Sequence, residues 1–104
     1  MRWDAKADQT QQEIMRAVRE FGGEVQSLHR VGQGVPDLLV AYQGQWFLVE
    51  CKSYDSVELT PKEAEWHERF SRHAPVLVWR SWRDVWEEFV GREKWWLALV
   101  GEDK

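Results

Sequence analysis

Asp37, Glu50 and Lys52 are the side chains of this 104-residue sequence whose types and spacing could do chemistry. They stand at the ends of GVPDLLVAYQGQWFLVECK, residues 34–52, whose middle reads as apolar run, turn, apolar run. If the runs pair as antiparallel strands across a two-residue loop at Gln43-Gly44, Tyr42 faces Gln45 and the same register sets Asp37 opposite Glu50. Cβ atoms of directly opposed residues lie about 4.5–5.5 Å apart, and two like charges there repel unless something positive sits between them. A bulge would shift the register by a residue and still leave the two acids neighbours. Lys52 lies two residues beyond Glu50 and projects from the same sheet face, whereas Cys51 points to the other.

A carboxylate pair at a strand edge suits a hard divalent cation, and magnesium takes few carboxylates together with water and phosphate oxygens. Such an ion polarises a phosphodiester and lowers the pKa of a bound water. Lys52 is placed to orient that water or to offset charge on the reacting phosphorus centre. The plainer alternative is a solvated strand edge with Lys52 as a salt-bridge partner of Glu50, which leaves Asp37 unexplained.

The elements that must position these groups follow from periodicity. Ile14, Ala17, Val18 and Phe21 form one stripe of a first helix from Asp8 or Thr10 to Phe21, which Gly22-Gly23 ends. Glu13 sits at the edge of that stripe. It could reach a metal from the helix, or it could close a capping box with Thr10. Residues 24–31 read as a strand, Gly32 to Gly34 as a mobile or tight loop, and DLLVAY and WFLVECK as two strong strands. Thr60-Pro61-Lys62-Glu63 combines a capping box with proline at the first helical position, so a second helix starts there and stops before Pro75. VLVW, residues 76–79, is a short buried strand. Ser81 caps a third helix, WRDVWEEFV, with Trp82, Val85, Trp86 and Phe89 at core spacing. KWWLALV then reads as a last strand beyond a Gly91 linker. The order α-β-β-β-α-β-α-(β) predicts an α/β fold with a mixed central sheet flanked by helices.

Length predicts a single domain over 1–104. No apolar run approaches a membrane span, and the first residues lack a signal-peptide core, so a cytoplasmic site in a bacterial or phage-infected cell is expected. Cys51, the one cysteine, reads as a small buried hydrophobe, and the three histidines show no zinc spacing. His67 and His73 read as surface residues of the second helix. The net charge of −4 argues against gripping nucleic acid by bulk positive charge but leaves room for a local basic face. Arg30, Lys62, Arg69, Arg72 and Arg80 are the candidates for one, each of them also a plausible solvated surface residue.

VPD, twelve residues (38–49), then ECK resembles the PD-(D/E)xK nuclease motif. With GQGVPDLLV before it, a leading helix carrying Glu13, and LTPKEAEWHERF after it, the chain from about Gln9 to Trp79 is similar to the VRR-NUC (virus-type replication-repair nuclease) branch, related in fold to Holliday-junction resolvases. The resemblance implies a restriction-endonuclease-like core and Mg2+- or Mn2+-dependent DNA cleavage. Asp37, Glu50 and the backbone carbonyl of Cys51 would ligate the metal, and Lys52 would be the catalytic lysine. Glu63 stands where relatives often carry glutamine and is expected to keep only its capping role.

The rival expectation is a non-catalytic module that kept the fold and binds DNA or a protein. An intact acid–acid–lysine set argues against it. Junction-resolving relatives act as symmetric dimers. The apolar run Trp95–Val100, read as an edge strand needing cover on both faces, likewise predicts a homodimer working on branched DNA, the plainer alternative being that Trp95 and Trp96 close the monomer's own core.

Overall fold

The fold is that of a computed structural model, which describes residues 2–53 and 59–100, and the side chains of 9–53 and 59–92. Helix α1 (Arg2–Glu20) leads into strands β1 (Glu24–Ser27), β2 (Leu38–Tyr42) and β3 (Gln45–Cys51). Helix α2 (Pro61–Ser71), strand β4 (Val76–Trp79) and helix α3 (Trp82–Val100) follow. The four strands form one sheet in the order β1-β2-β3-β4. The first three are antiparallel, and β4 runs parallel to β3 after the α2 crossover. This is the expected mixed α/β sheet with helical cover, and among the described residues no helix is long and apolar enough to cross a membrane.

The two sheet faces have different partners. Leu38, Val40, Tyr42, Phe47 and Val49 alternate onto one face and pack with Ile14, Val18, Val85 and Phe89 from α1 and α3. Burying side chains of this kind stabilises the fold by about 1.5–3 kcal/mol each. Tyr42 stacks on Phe89 with ring centroids 3.8 Å apart. The opposite face, carrying Leu48, Glu50 and Lys52, lies on the side that α2 covers, where Trp66 is buried. Alternation of the strand therefore sends Val49 to the core and Glu50 to the site.

Local chemistry fixes the ends. Gly22, at φ +96°, closes α1 with the paired bonds Gly23 N–H to Val18 O (2.9 Å) and Gly22 N–H to Arg19 O (3.0 Å). Gln43 and Gly44 both take positive φ, 49° and 82°, which makes the two-residue hairpin turn whose twist suits the flanking strands. Gln43 tolerates that geometry although it is no glycine. The capping box at Thr60 and Glu63 is present, and Ser81 Oγ accepts the Arg83 N–H at 3.2 Å to start α3.

Four expectations need correction. The KWWLALV tail is not a strand but the last turns of α3. Gly91 costs about 1 kcal/mol in a helix interior, but Glu88 and Arg92 pair across it at 2.9 Å and Arg92 lies over the Phe47 ring at 4.5 Å. The strand argument for a dimer goes with that correction, and the side chains of Trp95 and Trp96 lie outside the described residues. Helix α1 begins before Thr10, which is thus inside the helix and caps nothing. β1 stops at Ser27, because Val31 N–H folds back onto Leu28 O at 2.9 Å. In α3, Val85 and Phe89 are core, whereas Trp82 and Trp86 are about half exposed, 46% and 47%.

Candidate active site

The hairpin register runs from Tyr42↔Gln45 to Leu38↔Val49, so one further step faces Asp37 with Glu50. The ladder ends one pair short of that step. Asp37 instead gives its carbonyl to the Leu28 N–H (2.7 Å) and its side-chain Oδ2 to the Cys51 N–H (2.8 Å). The aspartate is thereby pinned between the start of the β1–β2 loop and the end of β3. Gly34, at φ +81°, brings the same loop against α2. A Cβ there would lie 2.5 Å from the Lys62 carbonyl oxygen, so only glycine allows the approach.

Glu50 is 2% exposed, and its Oε1 has no hydrogen-bond partner. Burial, then the charges of Asp37 and Glu63 and a hydrogen bond with Asp37, push its carboxyl up to about 9, against the smaller opposing pull of Lys52. Glu50 and Asp37 thus form an interacting acid pair in which these causes favour the protonated form of Glu50. Its Oε2 lies 3.8 Å from Lys52 Nζ, a loose ionic contact too long for a hydrogen bond.

The ionic partner of Lys52 is Glu63. Its Oε1 accepts from Lys52 Nζ at 2.9 Å and from the Thr60 N–H at 2.9 Å. Burial raises the Glu63 carboxyl, but the Thr60 N–H and Lys52 together outweigh that and hold it below the usual value. The expectation that Glu63 only caps its helix is thus corrected, since it also holds the lysine.

His67 is the residue the sequence reading misplaced. It lies one helical turn beyond Glu63 on α2, its side chain is 13% exposed, and its Nε2 is 3.9 Å from Glu50 Oε1. That nitrogen is buried without a hydrogen-bond partner. Burial, joined by Lys52 and opposed by Glu63, holds the imidazole below its ordinary pKa and so favours its neutral form. The i, i+4 spacing of Glu63 and His67 was the signal available in the sequence.

Cys51 packs against the α1–α3 core, and burial pushes its thiol up, so it is an inert apolar group. Glu13 is placed elsewhere in its contacts. Its Oε2 accepts the Trp82 N–H at 3.2 Å, the first amide of α3, and it is not among the charges that act on Glu50. Of the basic candidates, Lys62 and Arg69 on α2 and Arg72 at its C-cap fall within about 80° of arc at about 100° per residue, on the side of the helix away from Glu63 and His67. Arg72 pairs with Glu68 at 2.9 Å and Arg69 lies 5.1 Å from the Phe70 ring centroid, while Arg30 is exposed in the loop that meets α2. Arg80 stands on the β4–α3 connection, where its N–H donates to Asp84 Oδ2 at 2.6 Å.

No group of three or more His, Cys, Asp and Glu side chains among the described residues is arranged to hold a metal. An acid pair with one buried, unpartnered oxygen does fit magnesium or manganese, which complete their shells with water and phosphate oxygens.

No family model and no curated protein matches the chain. Among solved structures it is similar to a VRR_NUC domain, with 32% sequence identity, a TM-score of 0.64, and coverage of 77% of this chain and 89% of that one. At that identity, over nearly the whole of the other domain, the likeness goes beyond a shared fold: the chain belongs to the VRR-NUC family of nuclease-type domains.

Proposed function

We propose that the chain is a Mg2+- or Mn2+-dependent endodeoxyribonuclease that cuts branched or junction DNA. The observation that carries this reading is Glu50, almost fully buried beside Asp37 with one oxygen unpartnered. Two acids so close cannot both ionise without cost, and a divalent cation held by Asp37, Glu50 and the Cys51 carbonyl would offset that cost. When bound, the cation supplies Lewis acidity to the phosphodiester and a water of lowered pKa.

The chain's own groups divide the remaining work. The Cys51 N–H orients the Asp37 carboxylate. On binding a cation Glu50 would release its proton to solvent. Lys52, held by Glu63, presents an ammonium that orients the attacking water and offsets charge on the phosphoryl oxygens.

Lys62, Arg69 and Arg72, with Arg30 on the adjoining loop, would contact phosphates beyond the cleavage site, since their arc of α2 faces away from Glu63 and His67. Contacts of that kind position a duplex without reading its sequence, which favours recognition of DNA shape. Two cuts in one branched substrate call for two copies. Trp82 and Trp86, half exposed one turn apart on α3, offer an apolar patch that a two-fold interface uses twice.

The test is incubation of labelled four-way junctions, nicked duplex and linear duplex with Mg2+, Mn2+ or EDTA. Cation-dependent cutting that favours the junction supports the reading. Absence of cutting on every substrate, or cutting undiminished by EDTA, overturns it.

A further inference from the structure

Two buried polar atoms face each other across the site without partners, Glu50 Oε1 on β3 and His67 Nε2 on α2, 3.9 Å apart. The neighbouring polar groups hold other partners. Lys52 is bound to Glu63 at 2.9 Å, while Asp37 Oδ2 takes the Cys51 N–H. With one Glu50 oxygen given to a cation, the other is a buried acceptor, and leaving such an acceptor unpaired is costly. In its Nε2–H tautomer the His67 imidazole can satisfy it, and closing the gap by about 1 Å makes an ordinary N–H···O bond.

Resting on the proposed metal-dependent reading, we infer that His67 is a positioning residue of the site: its Nε2–H holds Glu50 Oε1 and fixes the carboxylate for the cation. Partners that hydrogen-bond a ligating carboxylate from behind set its orientation and strengthen metal binding. Helix geometry supports the assignment. Glu63 and His67 are one turn apart on the same face of α2, so the helix reaches the β3 end with two side chains, one holding Lys52 and the other facing Glu50. The capping box at Thr60 fixes where that face points.

Glutamine and methionine separate donor from packing, because they are similar in size and both suit a helix, but only glutamine carries an N–H. Calorimetric titration of Mn2+ and of Mg2+ into wild type, His67→Gln and His67→Met supplies the readout, with circular dichroism to verify the fold of each. His67→Met should weaken cation binding about 10- to 100-fold, and His67→Gln should stay within about threefold of wild type. Wild-type affinity in His67→Met overturns the assignment, as does a folded His67→Gln that binds as weakly as His67→Met. Should the wild type bind neither cation, the metal-dependent reading fails and this inference with it. A wild type that binds, with all variants equal to it, removes His67 alone.

Discussion

Glu63 Oε1 lies 2.9 Å from both Lys52 Nζ and the Thr60 backbone nitrogen, so one oxygen closes the capping box of α2 and holds the lysine at the end of β3. The start of a helix and the end of a strand are joined through a single atom. Lys52 therefore takes its position from a helix that begins after residues 54–58, not from its own strand alone.

That junction predicts different outcomes for two substitutions of Glu63. Glutamine retains a carbonyl oxygen for both donors and should cost little stability. Alanine removes the acceptor from both and should destabilise the fold by about 0.5–2 kcal/mol, the range for a lost helix cap. Thermal melts of the two variants distinguish them, and cation-dependent turnover should fall further in Glu63→Ala than in Glu63→Gln. Equal losses in both would mean that the charge of Glu63, not its acceptor oxygen, is what matters.

The Glu50 carboxyl, raised from 4.5 to about 9, sets a pH dependence. The folded chain keeps that proton where the unfolded chain has lost it. Cation-free stability is therefore highest, as far as Glu50 decides it, below pH 4.5, and declines as pH rises toward about 9. His67, held below 6.5, acts weakly in the opposite sense, and Glu63, held low, adds stability that is lost only at acidic pH. Melts across this window should show the decline in wild type and a flatter profile in Glu50→Gln. Because Glu50 must lose its proton to ligate a cation, metal affinity should rise with pH by up to about tenfold per unit below its folded pKa.

Lys52→Ala should cut turnover by about a hundredfold or more while metal binding holds or tightens, since the ammonium acts on water and phosphate and its loss removes a repelling charge. Calorimetry and single-turnover kinetics measured together check this. Loss of metal binding with cleavage retained would contradict the role.

The parts of the site that strand alternation and turn chemistry determine were legible in the sequence. The Gln43-Gly44 turn and the Tyr42↔Gln45 register set Asp37 beside Glu50, and the T-P-K-E cap located α2. Long-range context decided the rest. Gly91 reads as a break, yet the Glu88–Arg92 pair and the Phe47 ring carry α3 across it. Thr10 has a capping pattern but lies within α1, and Glu13 answers to Trp82, a residue from the far end of the chain. His67 looks like a surface histidine until α2 is laid over β3, because its partner Glu50 is in another element.

The most direct test of the central claim, that Asp37 and Glu50 together hold the cation that cuts DNA, is cleavage of a labelled four-way junction under single-turnover conditions. Wild type, Asp37→Asn and Glu50→Gln are compared at saturating Mn2+, with cation-free melts of each alongside. Both variants should lose at least about a hundredfold in rate, while their cation-free melting temperatures hold or rise because the fold no longer has to hold a buried acid protonated beside a second one. Wild-type cleavage in both folded variants would contradict the account.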